Sequence, residues 1–297
     1  GKAYLTFWDF VATEEDCGGL RIAVSDPPYE EWEILPDYIV PCKSFGGVGE
    51  VQPPDGKVIP VAAADPSNIW KKDGWYYVQA GNLLVLNHFG RGEDSPKDQK
   101  GDWTDLYRSR DLKHWEYVHR FYQRDVSNRW TEESEDDMCP SFLPLSTSRD
   151  GGPFSGKYLQ LFISHNKGCQ YYIGTYDKEK DLFFPESHGR MSWVDSAYFA
   201  PEALVDPSGR QIMWAWLRDD PEDVRQRGWS GVFGLPRVLW LDPQDQVLCM
   251  APAQEVERLR YQETDLSLSE LTDQAVPVEG IDRLSCEIDL EADISKA

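Results

Sequence analysis

Apolar residues in this 297-residue chain fall in short runs, many of them aromatic, and the three-to-four spacing of long amphipathic helices is scarce. Ala3-Tyr4-Leu5-Thr6-Phe7-Trp8 is the first such run. Tyr158-Leu159-Gln160-Leu161-Phe162-Ile163-Ser164, Gln170-Tyr171-Tyr172-Ile173-Gly174-Thr175-Tyr176 and Arg210-Gln211-Ile212-Met213-Trp214-Ala215-Trp216 follow. Gly (23) and Pro (20) break the chain at short intervals, and Trp, Tyr and Phe make up 13% of it. Short aromatic runs between turn residues predict an all-β protein of many strands.

One unit recurs. Leu20 to Asp26 reads as a strand ending in Ser25-Asp26, followed by a second strand that begins Trp32-Glu33. Leu106 to Asp111 repeats the strand and its Ser109-Arg110-Asp111 turn, and Trp115-Glu116 opens the next strand. Each Trp is expected to cap a small sheet in the same way, so the units read as successive propeller blades. With the runs around 158–176 and 203–241 there are four strand clusters. The propeller is assigned to residues 1–250 and a linker to 251–278, with a short helix or linker at 253–262. Loose alternation around Leu284-Ser285-Cys286-Glu287-Ile288-Asp289-Leu290 marks 279–297 as the first strand of a further β domain.

Charge narrows the partners. With 52 acids against 30 bases the net charge is −22, a surface that repels nucleic acid and anionic membranes and suits a neutral partner such as a sugar. No stretch is apolar enough to span a bilayer. The six cysteines (17, 42, 139, 169, 249 and 286) show neither a metal-binding spacing nor a disulfide framework, so no metal and no cofactor is expected.

Candidate chemistry begins at Asp65. Pro66 fixes the backbone behind it, and Asp73-Gly74 between Trp70 and Trp75 signals a hairpin, so the carboxylate sits at the mouth of a strand. Taken alone, Asp-Pro merely starts a turn. The acidic run Glu132-Glu133-Ser134-Glu135-Asp136-Asp137 leads into Cys139-Pro140-Ser141-Phe142-Leu143, the same arrangement about one blade further on. Strand mouths at one level of a propeller converge on its channel, and two carboxylates facing each other there are what glycoside hydrolysis requires. Crowding raises the pKa of one of them, as a general acid needs. Trp70, Trp75, Trp130 and Trp229 offer faces for sugar stacking, with packing inside a blade as the alternative. His88, His114, His119, His165 and His188 show no nucleophile–base spacing, although Ser164-His165-Asn166 ends a strand near the channel. Gly46-Gly47-Val48-Gly49 lacks the following helix of a phosphate loop.

Several blocks, in order, resemble glycoside hydrolase family 32, the invertase, inulinase and levanase group. They are Asp65-Pro66 through Trp75-Tyr76-Tyr77, Leu106 to Glu116, Cys139 to Leu145, and Phe199-Ala200-Pro201-Glu202 with Gly228-Trp229-Ser230-Gly231 and Leu235-Pro236-Arg237. The resemblance implies a five-bladed propeller followed by a β-sandwich, and a retaining hydrolysis of β-fructofuranosides such as sucrose or fructans. It assigns transition-state stabilisation to Asp65, although Ala64 replaces the Arg that precedes this Asp in the family. The acid/base Glu of the family stands directly before Cys-Pro, where this chain has Met138. A Glu-Asp-x-x-Cys-Pro variant moves the role to Glu135, with Asp136 as competitor or helper. Trp70 and Trp229, with Asp136, complete the expected substrate contacts. Nothing in the chain matches the Asn-Asp-Pro-Asn-Gly motif of the nucleophile, so the chain is expected to hold four blades of a longer enzyme. An arabinanase- or xylosidase-type propeller and a non-catalytic sugar-binding propeller are the alternatives.

Overall fold

The computed structural model describes residues 1–10, 17–44, 47–53, 56–83, 96–125, 127, 129–219, 221–265, 277, 280–281 and 286–291. Among the described residues, twenty strands form four sheets arranged as blades. The first contains β1 (Ala3–Asp9), β2 (Gly19–Ser25), β3 (Glu33–Ile34), β4 (Val40–Ser44), β5 (Val48–Val51) and β6 (Ile59–Ala62). The second contains β7 (Ala64–Pro66), β8 (Trp70–Lys72), β9 (Trp75–Gly81), β10 (Trp103–Ser109) and β11 (Trp115–Gln123). The third is a meander of β12 (Met138–Ser146), β13 (Phe154–Ser164), β14 (Gly168–Asp177) and β15 (Leu182–Arg190). The fourth contains β16 (Tyr198–Val205), β17 (Gln211–Leu217), β18 (Val232–Phe233), β19 (Arg237–Leu241) and β20 (Leu248–Pro252). Two helices are short, α1 (Pro221–Arg227) and α2 (Gln254–Glu257).

Alternation within each strand sends side chains toward both neighbouring blades, so the core is divided into layers between sheets. Leu20, Ile22 and Val61 of the first blade meet Val78, Trp103 and Tyr107 of the second. Tyr77, Leu106 and Phe121 meet Phe142, Phe162 and Tyr172. Leu143, Leu159 and Leu161 meet Met213 and Leu239. The Asp73-Gly74 hairpin forms as expected, with φ of 50° and 79° at its two central residues.

The repeated Trp does not act alike in both blades. Trp115 pairs with Ser109 and joins the core between the first two blades. Trp32 precedes β3, is 44% exposed, and donates its indole N–H to the Tyr29 carbonyl. Pairing of β3 with β2 is confined to Ala23↔Ile34 and Val24↔Glu33, too short a ladder to fold the indole inward. Of residues 279–294, those described (280–281 and 286–291) carry no strand, and the remainder lie outside the described residues, as do His88 and Gly46.

The innermost strands share a device. Asp65, Cys139 and Ala200 each precede a proline and have φ of 37°, 49° and 46°. At each the ladder to the next strand skips register: between Ala64 and Pro66, between Met138 and Ser141, and between Phe199 and Glu202. A proline at the skip leaves no orphaned N–H. Each left-handed residue costs about 1–3 kcal/mol, which the surrounding sheet must offset.

The end of β9 presses on the segment that feeds β12. The Asn82 amide donates to the Asp137 carbonyl at 2.7 Å. A Cβ on Gly81 would lie 2.6 Å from that carbonyl oxygen and 3.0 Å from the Met138 Cα. Both atoms are backbone, so neither can rotate away. Gly81→Ala is expected to cost about 1–3 kcal/mol, visible as a lower urea midpoint at unchanged slope.

Candidate active site

Asp65 lies at the first of these bulges, and its Oδ2 accepts a hydrogen bond from the Cys139 thiol at 3.0 Å. The two residues occupy equivalent places on adjacent innermost strands, so the backbone skip directs both side chains to one spot. Burial raises the pKa of Asp65, opposed by the Cys139 hydrogen bonds and by His165, and reinforced by the charge of Asp136. The Cys139 thiol is pushed well up by burial and by Asp65, which keeps it protonated and donating.

Asp136 reaches the same neighbourhood from the loop before β12. Its Oδ1 accepts the His165 amide at 2.8 Å, and its Oδ2 meets His165 Nδ1 at 2.7 Å. The Ser164 hydroxyl donates to the Asp136 carbonyl, fixing the loop against the β13–β14 turn. Burial lowers the pKa of His165, but the hydrogen bond and charge of Asp136, aided by Asp65, carry it above the usual value. Phe199 meets the imidazole edge-on, with ring centroids 5.7 Å apart. Arg218, just past β17, acts on His165 through its charge and covers the Phe199 ring at 4.8 Å.

Glu135 points elsewhere. Its carboxylate accepts from Arg190 at 3.0 and 3.3 Å, from Gln170 at 2.9 Å and from the Glu132 amide at 3.0 Å. Burial opposes ionisation, but Arg190 and Gln170 outweigh it and the pKa is lowered. A carboxylate held ionised by a guanidinium is a poor proton donor near neutrality. Asp65 therefore has Asp136, not Glu135, as its electrostatic neighbour from the acidic run. Arg190 at the end of β15 holds the Glu135 carboxylate, and Asp136 acts on Asp65 through its charge.

The aromatic candidates also separate. Trp70 stacks on Tyr77 at 5.7 Å and leans on Phe121 and Phe142, inside the layer between the second and third blades. All three neighbours pack against its ring. Trp75 has the guanidinium groups of Arg108 and Arg110 over its ring at 4.3 and 4.1 Å. Trp130 stacks on His188. Trp229 is 51% exposed and takes Arg227 on one face at 4.6 Å, which leaves it suited to stacking.

Two groups that the sequence motifs contain, without a role assigned to either, are also near the site. Asp137 is fully buried: its Oδ2 accepts from Gln160 at 3.0 Å, while Oδ1 has no partner among the described residues. Burial, then the charges of Asp102 and Asp136, push its pKa well above the usual range. The folded state thus holds this proton more tightly than the unfolded chain, and stability falls as pH climbs from about 3.9 toward the folded value. Asp137→Asn is expected to remove that fall. Its urea midpoint should exceed that of the parent at pH 8 and converge on it in acid.

Glu202, two residues beyond the Ala200 bulge, is exposed on β16 yet crowded by protein, and burial with the charge of Asp65 pushes its pKa up to about 8. The Ala200-Pro201 dipeptide, read beside Asp65-Pro66 and Cys139-Pro140, was the available signal. Among the described residues no group of three or more His, Cys, Asp or Glu is arranged to hold a metal ion.

Comparison with known proteins adds to this geometry. Residues 52–252 match the Glycosyl hydrolases family 32 N-terminal domain. A fructan 1-exohydrolase from Bromus pictus is 29% identical over 206 residues, covering 64% of this chain and 33% of that protein. The cell wall isozyme of beta-fructofuranosidase from Zea mays is 27% identical over 252 residues, covering 80% of this chain and 38% of the other. The chain therefore spans little more than a third of the length of these curated relatives. Fructan 1-exohydrolase IIa from Cichorium intybus, solved in complex with 1-kestose, superposes with a TM-score of 0.64 at 22% identity. That match covers 87% of this chain and 46% of that one, and shows the shared propeller fold. Since the domain match covers more than half of the sequence, the chain belongs to glycoside hydrolase family 32.

Proposed function

We propose that the protein hydrolyses β-fructofuranosides, sucrose or fructans, with retention of configuration at the fructosyl carbon. The observation that carries this reading is the gathering of Asp65 on β7, Cys139 on β12, Asp136 just before β12 and His165 in the β13–β14 turn of a family 32 propeller. Relatives named fructan 1-exohydrolase and beta-fructofuranosidase support the substrate class. Asp65 holds the developing charge of the fructosyl unit through its hydroxyls, and Trp229 supplies a stacking face. Glu135 anchors its loop through Arg190, while Asp136 is the member of the acidic run that serves the site. The attacking carboxylate would belong to a blade additional to these four. The linker to a β-sandwich would begin only after β20, which closes the fourth blade at Pro252.

The test is the product of the complete open reading frame incubated with sucrose, inulin and levan, with the anomer followed by NMR. Release of β-fructose supports the reading. Release of arabinose or xylose in its place moves the protein to another class of propeller glycosidase. Met138, at the place where the family carries its acid, favours a second reading: a propeller that binds fructosides without cleaving them. Calorimetric binding with no turnover would establish that one.

A further inference from the structure

The acidic run does not by itself present a proton donor to Asp65. Met138 is buried and pairs with Ile163 across the ladder. Glu135 is committed to Arg190, and Asp137 is enclosed beside Gln160. Asp136 spends both oxygens on a single residue, the His165 backbone and ring. That two-point clamp fixes the imidazole: Nδ1 belongs to Asp136, so any proton the ring hands over leaves from Nε2. A carboxylate orienting an imidazole and stabilising its charged form is the arrangement by which histidine serves acid–base chemistry in other hydrolases.

We infer that His165, held by Asp136, is the acid/base of this site, in place of a carboxyl at position 138. The inference rests on the fructoside reading above. In the first step the bond between the fructosyl anomeric carbon and the leaving oxygen breaks, with both electrons going to that oxygen. The oxygen takes the proton from His165 Nε2 and departs as an alcohol, while an attacking carboxylate oxygen bonds to the carbon. In the second step water attacks the same carbon, the carboxylate leaves, and neutral His165 takes the proton that the water gives up. Net, one water is consumed and the imidazolium is restored. Asp136 is a positioning residue. Among the described residues, the groups acting on the imidazole include Asp136 from the acidic loop, Asp65 from β7, Arg218 from beyond β17 and the ring of Phe199 from β16. The two carboxylates favour the charged ring and Arg218 opposes it, with the balance upward. Ser196 holds the turn by donating to the His165 carbonyl at 2.9 Å.

The experiment uses the complete protein and its His165→Ala, His165→Asn, Asp136→Asn, Glu135→Gln and Glu202→Gln variants. Each is assayed on sucrose and on an aryl fructoside whose leaving group needs no proton. His165→Ala is expected to lose about 10³-fold on sucrose, far less on the aryl substrate, and to recover with added imidazole. Asp136→Asn should move the alkaline limb of the pH profile to lower pH. Independently of turnover, 15N NMR should find His165 carrying its neutral-form proton on Nδ1 and titrating above the usual histidine value, with Asp136→Asn reversing both. His165→Asn, which keeps a donor toward Asp136, guards against misfolding of the alanine variant. An active wild type whose His165 variants keep their sucrose-to-aryl ratio overturns the inference alone. The same leaving-group signature in Glu135→Gln or Glu202→Gln overturns it in favour of that residue. A wild type inert toward every fructoside removes the functional reading and the role of His165 together.

Discussion

Asp65→Asn is expected to lower fructose release by about 10²–10³-fold while leaving the protein as stable as the parent or more so near neutral pH. On the proposed fructoside reading, the loss follows from removing the charge that opposes positive character at the fructosyl carbon, an effect of this size when a preorganised electrostatic group is deleted. The gain in stability follows from the sign of the pKa shift. Burial raises the folded-state pKa of Asp65, so the ionised group weakens the fold as pH rises from the unfolded value of about 3.9. Asparagine keeps an oxygen to accept from the Cys139 thiol and carries no charge to bury. Kinetics on sucrose, with urea midpoints at pH 4 and pH 7.5, check both halves. Equal loss of activity and stability would make Asp65 a structural residue. Stability spent at one carboxylate is the ordinary mark of a working site.

Arg190→Met is expected to be among the most damaging single changes in the third blade, at about 3–5 kcal/mol near neutrality. The guanidinium lies at the end of β15 and closes on a carboxylate with no exposed side-chain area. Without it, Glu135 keeps Gln170 and the Glu132 amide but remains a buried anion short of its counter-charge. The paired carboxyl has a lowered pKa, so its contribution is present above the unfolded value of about 4.3 and is lost as pH falls through the folded one. The variant should therefore approach the parent in acid, where Glu135 takes up a proton. Glu135→Gln should cost less, because Arg190 is part-exposed and returns to water. Chemical denaturation at pH 4 and pH 7 separates these cases, and a mild, pH-independent effect of Arg190→Met would count against the ion pair.

The propeller was legible because its signals are local. Asp73-Gly74 dictates a hairpin, Ser109-Arg110-Asp111 dictates a turn, and aromatic strands between them can bury both faces only by stacking sheet on sheet. Asp65 was legible for the same reason, since proline behind an acid marks a strand mouth. Glu135 was chosen for its place in a motif, and its fate depends on Arg190, 55 residues away along the chain, which no short pattern reveals. His165 was noticed at a strand end, but its clamp needs Asp136 across the β12–β13 pair. Trp32 and Trp115 look alike in sequence and part company because only one lies beside a ladder long enough to fold it inward. Glu202 lies in a family-like block, but its crowding against Asp65 comes from another blade and no local pattern shows it.

The left-handed steps at Asp65, Cys139 and Ala200 give three neighbouring sockets with one backbone shape and different fittings: a carboxylate, a thiol and a methyl. The conformational toll of each socket is borne by its sheet, so exchanging the fitting alters what is offered at the hub without rebuilding the spoke. Ala200, the smallest of the three, is the natural place to graft a longer polar group and so change what the hub presents.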